Sequence, residues 1–268
     1  MTRNCTYIIK EEEKLSGMAQ YDTEEIFTRS RRLLGDETMQ RLQETRVIVF
    51  GIGGVGSWAA EALVRTGLQH ITLVDADRVA VSNINRQAPA TTLTVGEEKT
   101  VAMRRHLLEI NPQADISIVT GVYSADTASN FNLKDYDYII DAIDSLADKA
   151  LLINNATRAK RPRLFSSMGA ALKLDPSRIA VAEFWKVDGC RLAAALRRRF
   201  KKSGIMPARK FKCVYSPELL ENRGKELTSD TAMSFNKVAV NGSLCHITAI
   251  FGMTLAGLVI ESIVKATD

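Results

Sequence analysis

Gly51-Ile52-Gly53-Gly54-Val55-Gly56 carries the spacing G-x-G-x-x-G directly after the apolar run Arg46-Val-Ile-Val-Phe50 and directly before a segment of helical pattern. That context gives the motif its meaning. Glycines let backbone approach a phosphate, and the following helix N-terminus offers unpaired N–H groups and partial positive charge to the anion. Asp75, nineteen positions after Gly56, ends a second apolar run and is placed to accept hydrogen bonds from ribose hydroxyls. Gly51, Gly53, Gly54, Gly56 and Asp75 are therefore expected to bind an adenine nucleotide. On these residues alone the pattern reads as a nicotinamide-dependent dehydrogenase. The residues after Asp75 change that reading. Asp75-x-Asp77, Asn83-x-x-Arg86-Gln87 and Lys99 crowd amide, guanidinium and ammonium donors just downstream of the ribose acid, where the extra charge of a triphosphate needs neutralising. A dinucleotide needs no such cluster, although any one of these residues alone is equally at home as a solvated surface charge.

Asp141-Ala-Ile-Asp144 follows the apolar Tyr138-Ile-Ile, which puts both carboxylates at the C-terminal edge of a strand, where open α/β sheets bind ligands. Magnesium takes one or two carboxylates and completes its shell with water and phosphate oxygens. Asp144 beside a triphosphate suits it. The alternative is that Asp144 caps a helix beginning at Ser145.

The elements that must position these residues alternate along the chain. Strands are expected at Arg46–Phe50, Ile71–Asp75, Asp115–Val119, Tyr138–Asp141 and Arg163–Phe165. Helices are expected over Ser57–Gly67, Lys99–Ile110 and Lys149–Arg158. Short β-branched apolar runs mark strands covered on both faces, so the fold class is α/β, a doubly wound and mostly parallel sheet. Glu24–Gln43 suits one or two amphipathic helices. A strand at Arg178–Glu183, a basic stretch from 191 to 212 and an apolar segment from 244 to 264 look like C-terminal elaborations. Ile247–Val264 is eighteen residues long and contains Glu261, with Gly252 and Gly257 at packing intervals. It is expected to be a buried or interface helix, with membrane contact left open. The polar residues 1–20 are expected to be a mobile leader. Residues 21–268 then form a single domain around a nucleotide-binding core at 46–169.

The chain has 268 residues, of which 46% are hydrophobic and 25% charged. That is globular composition, which excludes disordered and collagen-like classes. Thirty-six Lys and Arg against thirty-one Asp and Glu leave a net charge of +5, a bias toward anionic partners. Cys5, Cys190, Cys213 and Cys245 contain no C-x-x-C pair, so neither a disulfide framework nor a zinc knot is written here, and a reducing cytoplasm is the expected compartment.

The segments Gly51-Ile-Gly-Gly-Val-Gly56-Ser-Trp-Ala-Ala-Glu61, Arg65-Thr-Gly67, Asp75-x-Asp77 and Asn83-Ile-Asn-Arg86-Gln87 resemble the ubiquitin-activating-like adenylating enzymes, the family that includes MoeB and ThiF. Asp141-Ala-Ile-Asp144-Ser145, Asp175-Pro176, an arginine-rich helix, Cys213-Val-Tyr-Ser216 and Phe251-Gly252 extend the likeness to the branch that acts on threonylcarbamoyladenosine in tRNA. The resemblance implies a Rossmann-like sheet. It implies Gly51, Gly53 and Gly56 for the phosphate loop, Asp75 for ribose, and Asn83, Arg86 and Lys99 for phosphates. Asp144 would take Mg2+, and ATP is the implied nucleotide. It further implies a homodimer that lends an arginine from an N-terminal helix to the neighbouring site, with Arg32 the best-placed match and Arg29 the fallback. The two C-x-x-C zinc pairs of MoeB and ThiF are missing here, as in the dehydratase branch.

The implied reaction joins the substrate carboxylate to AMP with release of pyrophosphate. A nitrogen of the substrate's own carbamoyl group then closes the ring and expels AMP. A tRNA substrate predicts a basic surface, and Arg197, Arg198, Arg199, Lys201, Lys202, Arg209, Lys210 and Lys212 supply one without an acidic neighbour, unless they form only a solvated helix face. DNA is not an expected partner, and a sulfur-transfer protein partner is left open. Cyclisation needs no protein nucleophile. Were an acyl acceptor used, Cys213 is the best placed, although its ordinary reading is a small buried residue; Cys245 is expected to pack in the C-terminal segment, and His246 to be an interior or interface residue rather than a catalytic base. Two other readings remain, an adenylating activator of a sulfur-carrier protein and an NAD-dependent oxidoreductase.

Overall fold

The computed structural model describes residues 23–224 and 241–267; the leader expected at residues 1–20 lies outside them. In the first strand, β1 (Arg46–Phe50), alternate side chains enter different cores. Val47 and Val49 join one, and Ile48 and Phe50 the other. The same split recurs in β4 (Tyr138–Asp141), with Tyr138 and Ile140 against Ile139, and in β5 (Arg163–Ser167), with Phe165 against Leu164. A strand with both faces covered must be apolar throughout, which is why these runs show no polar alternation.

The remaining strands are β2 (His70–Asp75), β3 (Asp115–Thr120), β6 (Ala180–Glu183) and β7 (Lys212–Tyr215). Seven strands form one sheet in the order β3-β2-β1-β4-β5-β7-β6. All neighbouring pairs are parallel except β6 with β7 at the edge, where Val181 faces Val214 and Glu183 faces Lys212. The mostly parallel, doubly wound α/β fold expected from the sequence is the one observed. Chain order reverses between β1 and β4, and the crevice at their carboxyl ends is where such sheets bind ligands.

Three short helices, α1 (Thr23–Ile26), α2 (Thr28–Leu34) and α3 (Asp36–Glu44), precede β1. Helix α4 (Gly56–Thr66) leaves the glycine loop and ends at Gly67, and α5 (Lys99–Ile110) precedes β3. Helix α6 (Leu146–Arg158) begins one turn earlier than expected, from Ser145 at its N-cap position. Strand β6 starts two residues late. Pro176–Arg178 forms a 3-10 turn whose preceding Asp175 accepts the Ser177 N–H, and proline fixes the first helical position.

Helix α7 (Arg191–Ser203) buries Ala193, Leu196 and Phe200. Phe184 stacks on Phe211 at 5.0 Å and meets Phe200 edge-on at 5.8 Å. The C-terminal helix α8 (Cys245–Val264) is, among the described residues, the one helix long and apolar enough to cross a membrane. It buries Ile247, Phe251, Leu255, Leu258, Val259 and Ile263. A Cβ at Gly252 would lie 2.4 Å from Val55 O and 2.8 Å from Ala59 N, so α8 and α4 meet backbone to backbone. That contact explains an apolar helix with a glycine at its centre. Met253 and Glu261 face outward.

Candidate active site

The three glycines at the G-x-G-x-x-G positions do different things. Gly51 sits at φ +88°, and a Cβ there would approach Ala142 O to 2.7 Å, so this turn requires glycine. A Cβ on Gly56 would lie 1.8 Å from Gly51 O. At Gly53 the nearest side-chain atom is Gln87 Nε2 at 4.0 Å, which leaves backbone facing open space. That is the face a phosphate can approach. Gly54 is turned away from it, with its α-carbon against the side chain of Thr248 on α8.

Asp75 at the end of β2 is tied to this loop. Its Oδ2 accepts the Ile52 N–H at 2.6 Å and its Oδ1 accepts the Asp77 N–H at 2.8 Å. Burial pushes the Asp75 carboxyl above its ordinary value, with the Lys99 ammonium and these two amides working against the rise. Lys99, the first residue of α5, is itself buried. Its Nζ donates to Asp77 Oδ2 at 2.8 Å and lies 3.9 Å from Asp75 Oδ1. Glycine loop, Asp75 and the Lys99 ammonium thus form one connected unit.

Asn83 is buried and accepts the Ala80 N–H through Oδ1 at 3.1 Å, which shapes the loop carrying Arg86. Arg86 donates from Nη1 to Ser82 O and Asn85 Oδ1. Its carbonyl is held by Trp58 Nε1 at 3.0 Å and by Thr248 Oγ1 at 3.4 Å. Ser57 adds a third tie, donating to Gly53 O at 2.7 Å and accepting from Ala88 N at 3.2 Å. Sequence reasoning missed Ser57, Trp58 and Thr248 as positioning residues. Ser57 and Trp58 stand next to the glycines, but the loop they tie, at Ala88 and Arg86, is about thirty residues away, and Thr248 offered no signal.

The two carboxylates expected at the end of β4 have separate fates. Asp141 is fully buried, with Oδ2 2.8 Å from Lys149 Nζ and 2.7 Å from Ser166 Oγ, while Oδ1 accepts Ile143 N–H at 3.1 Å. Its oxygens are taken, so it offers nothing to a metal or a ligand. Asp144 is exposed at the crevice, and the N-cap position of α6 belongs to Ser145. An exposed carboxylate at this crevice is the kind of group magnesium takes from a protein when phosphate oxygens and water complete its shell. No cluster of three His, Cys, Asp or Glu able to hold a metal occurs among the described residues.

Arg32 and Arg29 are exposed on α2, whereas Arg31 is paired with Glu24 and Asp36. Within the basic stretch, Arg198, Arg199, Lys201, Lys202, Lys210 and Lys212 are exposed. Two members are tied down by hydrogen bonds, Arg197 half-buried and Arg209 while still exposed. Arg197 donates to Phe184 O and Val187 O. Arg209 donates to the carbonyls of Thr157, Lys160, Ala156, Ala159 and Pro162, which closes the C-terminal end of α6.

Among the cysteines, the reading of Cys213 as a small buried residue holds and the expectation for Cys245 needs correction. Cys213 is fully buried on β7, and burial pushes its thiol up, which is the wrong direction for an acyl acceptor. Cys245, expected to pack inside, is exposed in the first turn of α8; His246, expected in the interior or at an interface, is exposed beside it, with Nε2 3.0 Å from Leu174 O.

Residues 27–268 match the ThiF family. A tRNA threonylcarbamoyladenosine dehydratase of Bacillus subtilis (strain 168) is 33% identical over 243 residues, covering 89% of this chain and 94% of that protein. The crystal structure of the E. coli tRNA N6-threonylcarbamoyladenosine dehydratase in complex with ATP superposes with a TM-score of 0.80 at 33% identity, over 93% of this chain and 98% of that one. A structure of the same E. coli protein in complex with AMP gives 0.79 at 34% identity over the same shares.

Proposed function

The chain belongs to the ThiF family, and from that footing we propose that it is an ATP-dependent dehydratase of threonylcarbamoyladenosine in the tRNA anticodon loop. It is an adenylate-forming enzyme. The substrate carboxylate attacks the α-phosphorus of ATP and pyrophosphate leaves. A carbamoyl nitrogen then attacks the acyl carbon, the C–O bond to AMP breaks, and the nitrogen's proton passes to solvent. The net change is loss of water and closure of a ring. Tethering of the attacking nitrogen makes orientation the main requirement.

In this reading Gly53 presents backbone to the phosphates, Asp75 accepts the ribose hydroxyls, and Lys99 and Arg86 offset charge that develops as pyrophosphate departs. Asn83 and Asp77 hold the two cationic side chains' surroundings in shape. Asp144 is the residue that would hold Mg2+, which would add charge neutralisation at the phosphates. Arg32 of a second copy would complete the site in a homodimer. The exposed members of the 191–212 stretch would contact tRNA phosphates, and residues 21–268 would act as one adenylating domain working in the cytoplasm.

The observation that supports this reading is the linked set Ile52, Asp75 and Lys99, in which the buried ammonium is joined to the glycine loop through the Asp75 carboxylate. Labelled ATP with magnesium and either threonylcarbamoylated tRNA or a sulfur-carrier protein provides the test, read as AMP formation. AMP should form with the modified tRNA. Formation driven by the carrier protein alone would replace this function with that of a carrier activator.

A further inference from the structure

At the amino edge of the sheet, opposite the nucleotide crevice, a cleft of about 460 Å3 opens between the start of β5 and β7 and the last turns of α8. That size falls in the roughly 300–1,000 Å3 range of ligand pockets. Its floor is apolar, formed by Phe165, Phe211 and Leu258, and its rim carries the exposed cations Lys210 and Lys212. Glu183 also lines it. Oε2 of Glu183 accepts the Trp185 N–H at 3.1 Å, while Oε1 has no hydrogen-bond partner and is closed off from solvent, so that a donor in the cleft meets it when the side chain turns outward. An ionised carboxylate only accepts, so its natural complement is an N–H or O–H donor.

Position matters as well. Helix α7 starts near Gly169, at the carboxyl edge, where Leu192 lies 3.9 Å from a Cβ built on that glycine. It ends near Met206, whose carbonyl accepts from Arg158 at the last turn of α6. Thirteen residues at about 1.5 Å each make α7 a span of roughly 20 Å from the catalytic edge to this cleft. The basic side chains run along and beyond it.

We infer that this cleft is a second RNA site, which takes one unpaired nucleotide of the tRNA substrate, with its phosphate on Lys210 and Lys212, its base on the apolar floor and an exocyclic amino group on Glu183. The inference rests on the tRNA function proposed for the chain. An acyl anion would match the lysines and the floor but would supply no donor for Glu183. Carboxylates of this kind pair with the amino group of cytosine, and adenine carries one too.

Glu183→Gln separates the site from a merely basic surface. Gln keeps an oxygen for the Trp185 N–H, so the fold should hold, with thermal melting as the check. Removing a negative charge from a basic surface would tighten RNA binding. Loss of a base-specific acceptor would weaken it instead. Fluorescence anisotropy on the full chain, with single-stranded heptanucleotides of C or A against U, should show about a five- to tenfold loss for C or A and a smaller change for U. The Lys210→Gln/Lys212→Gln variant should lower the salt slope by about 0.7, the value for the one phosphate contact on a single strand that the two lysines share. Unchanged or tighter binding of all three oligomers by Glu183→Gln overturns the site, as does displacement of RNA by an acidic peptide at equal affinity. Should Glu183→Gln fail to fold, an unchanged salt slope in the lysine variant overturns it alone. These outcomes are separable from failure of the enzymatic reading, which would appear as no AMP formation by the unmutated chain with modified tRNA.

Discussion

Lys149 and Asp141 form an ion pair at 2.8 Å with neither side chain exposed to solvent. The pair lies under the loop that carries Asp144, because Lys149 Nζ also donates to Ile143 O at 3.0 Å and Asp141 receives the Ile143 N–H. The same loop supplies Ala142 O, against which Gly51 is folded. A charge pair with no access to ligand therefore fixes the relative height of the two walls of the crevice.

Removing one member leaves a buried charge without its partner. Lys149→Met should cost about 3–5 kcal/mol in urea denaturation, whereas Asp141→Asn/Lys149→Met should recover a large part of it. Additive losses in the two single variants and the double would show that the two side chains are not coupled.

Gly53 and Gly56 should respond to alanine in opposite ways. A methyl at Gly56 runs into Gly51 O, and overpacking of that kind costs roughly 1–3 kcal/mol or more. Gly56→Ala should lower the melting temperature. Gly53→Ala meets nothing in the protein, so the fold should be kept while ATP affinity drops at least about tenfold, since the methyl stands where backbone would meet phosphate. Calorimetric titration with ATP next to a thermal melt reads both effects.

Lys99→Ala tests the charge argument. Loss of one preorganised donor at developing charge typically costs about 10²–10³ in rate. Lys99→Ala should therefore slow AMP formation by that order, and Asp144→Asn should slow it and raise the magnesium concentration needed. Asp144→Asn should leave hydrogen exchange in β1 and β4 unchanged, whereas Lys99→Ala, which strips buried Asp75 of its nearest cation, should speed it.

The sheet and the glycine loop were legible because their causes are local. Arg46–Phe50 and Tyr138–Asp141 are apolar enough to be strands with both faces covered, and the observed bounds match the expected ones. Lys99–Ile110 matches as well. What escaped detection depends on distant partners. Lys149 sits in a helix where lysine is ordinary, and its partner lies on another element. Arg209 reads as one more charge in a basic run until its five carbonyl acceptors, at the end of α6, come within reach. Cys245 sits in an apolar segment and was expected to be buried, but the first turn of a helix projects beyond the core that covers the rest.

The raised Asp75 carboxyl sets a pH dependence. Its folded value lies above its unfolded one because burial disfavours the charged form, so the folded chain holds that proton more tightly than the unfolded chain does. The contribution of Asp75 to stability is complete below the ordinary aspartate range, about 3.9, and is lost as pH rises through the raised folded value. Relative to Asp75→Asn, the unmutated chain should lose stability across that window on going up in pH. ATP binding should move the other way, because ribose hydroxyls need the carboxylate as an acceptor. It should fail on acidification at a pH above that of an exposed aspartate. Denaturation and ATP titration over the same pH series check both slopes.

The basic stretch should divide into two classes that a charge count cannot separate. Arg209 holds the carbonyls that α6 leaves unpaired at its C-terminal end, so Arg209→Ala should cost roughly 1.5–3 kcal/mol of stability, as for hydrogen bonds from a charged donor. Arg197→Ala, which loses the carbonyls of Phe184 and Val187, should act in the same direction. Arg198, Arg199, Lys201 and Lys202 point to solvent. Their joint replacement by glutamine should leave the melting temperature within a degree or two and ATP affinity unchanged. It should flatten the salt dependence of tRNA binding by about 0.9 per contact with duplex phosphate. Filter binding from low to moderate salt, with a melt on the same samples, reads the two classes independently. Equal loss of stability in both sets would mean that the exposed group is structural too, and unchanged tRNA affinity would remove α7 from the RNA path.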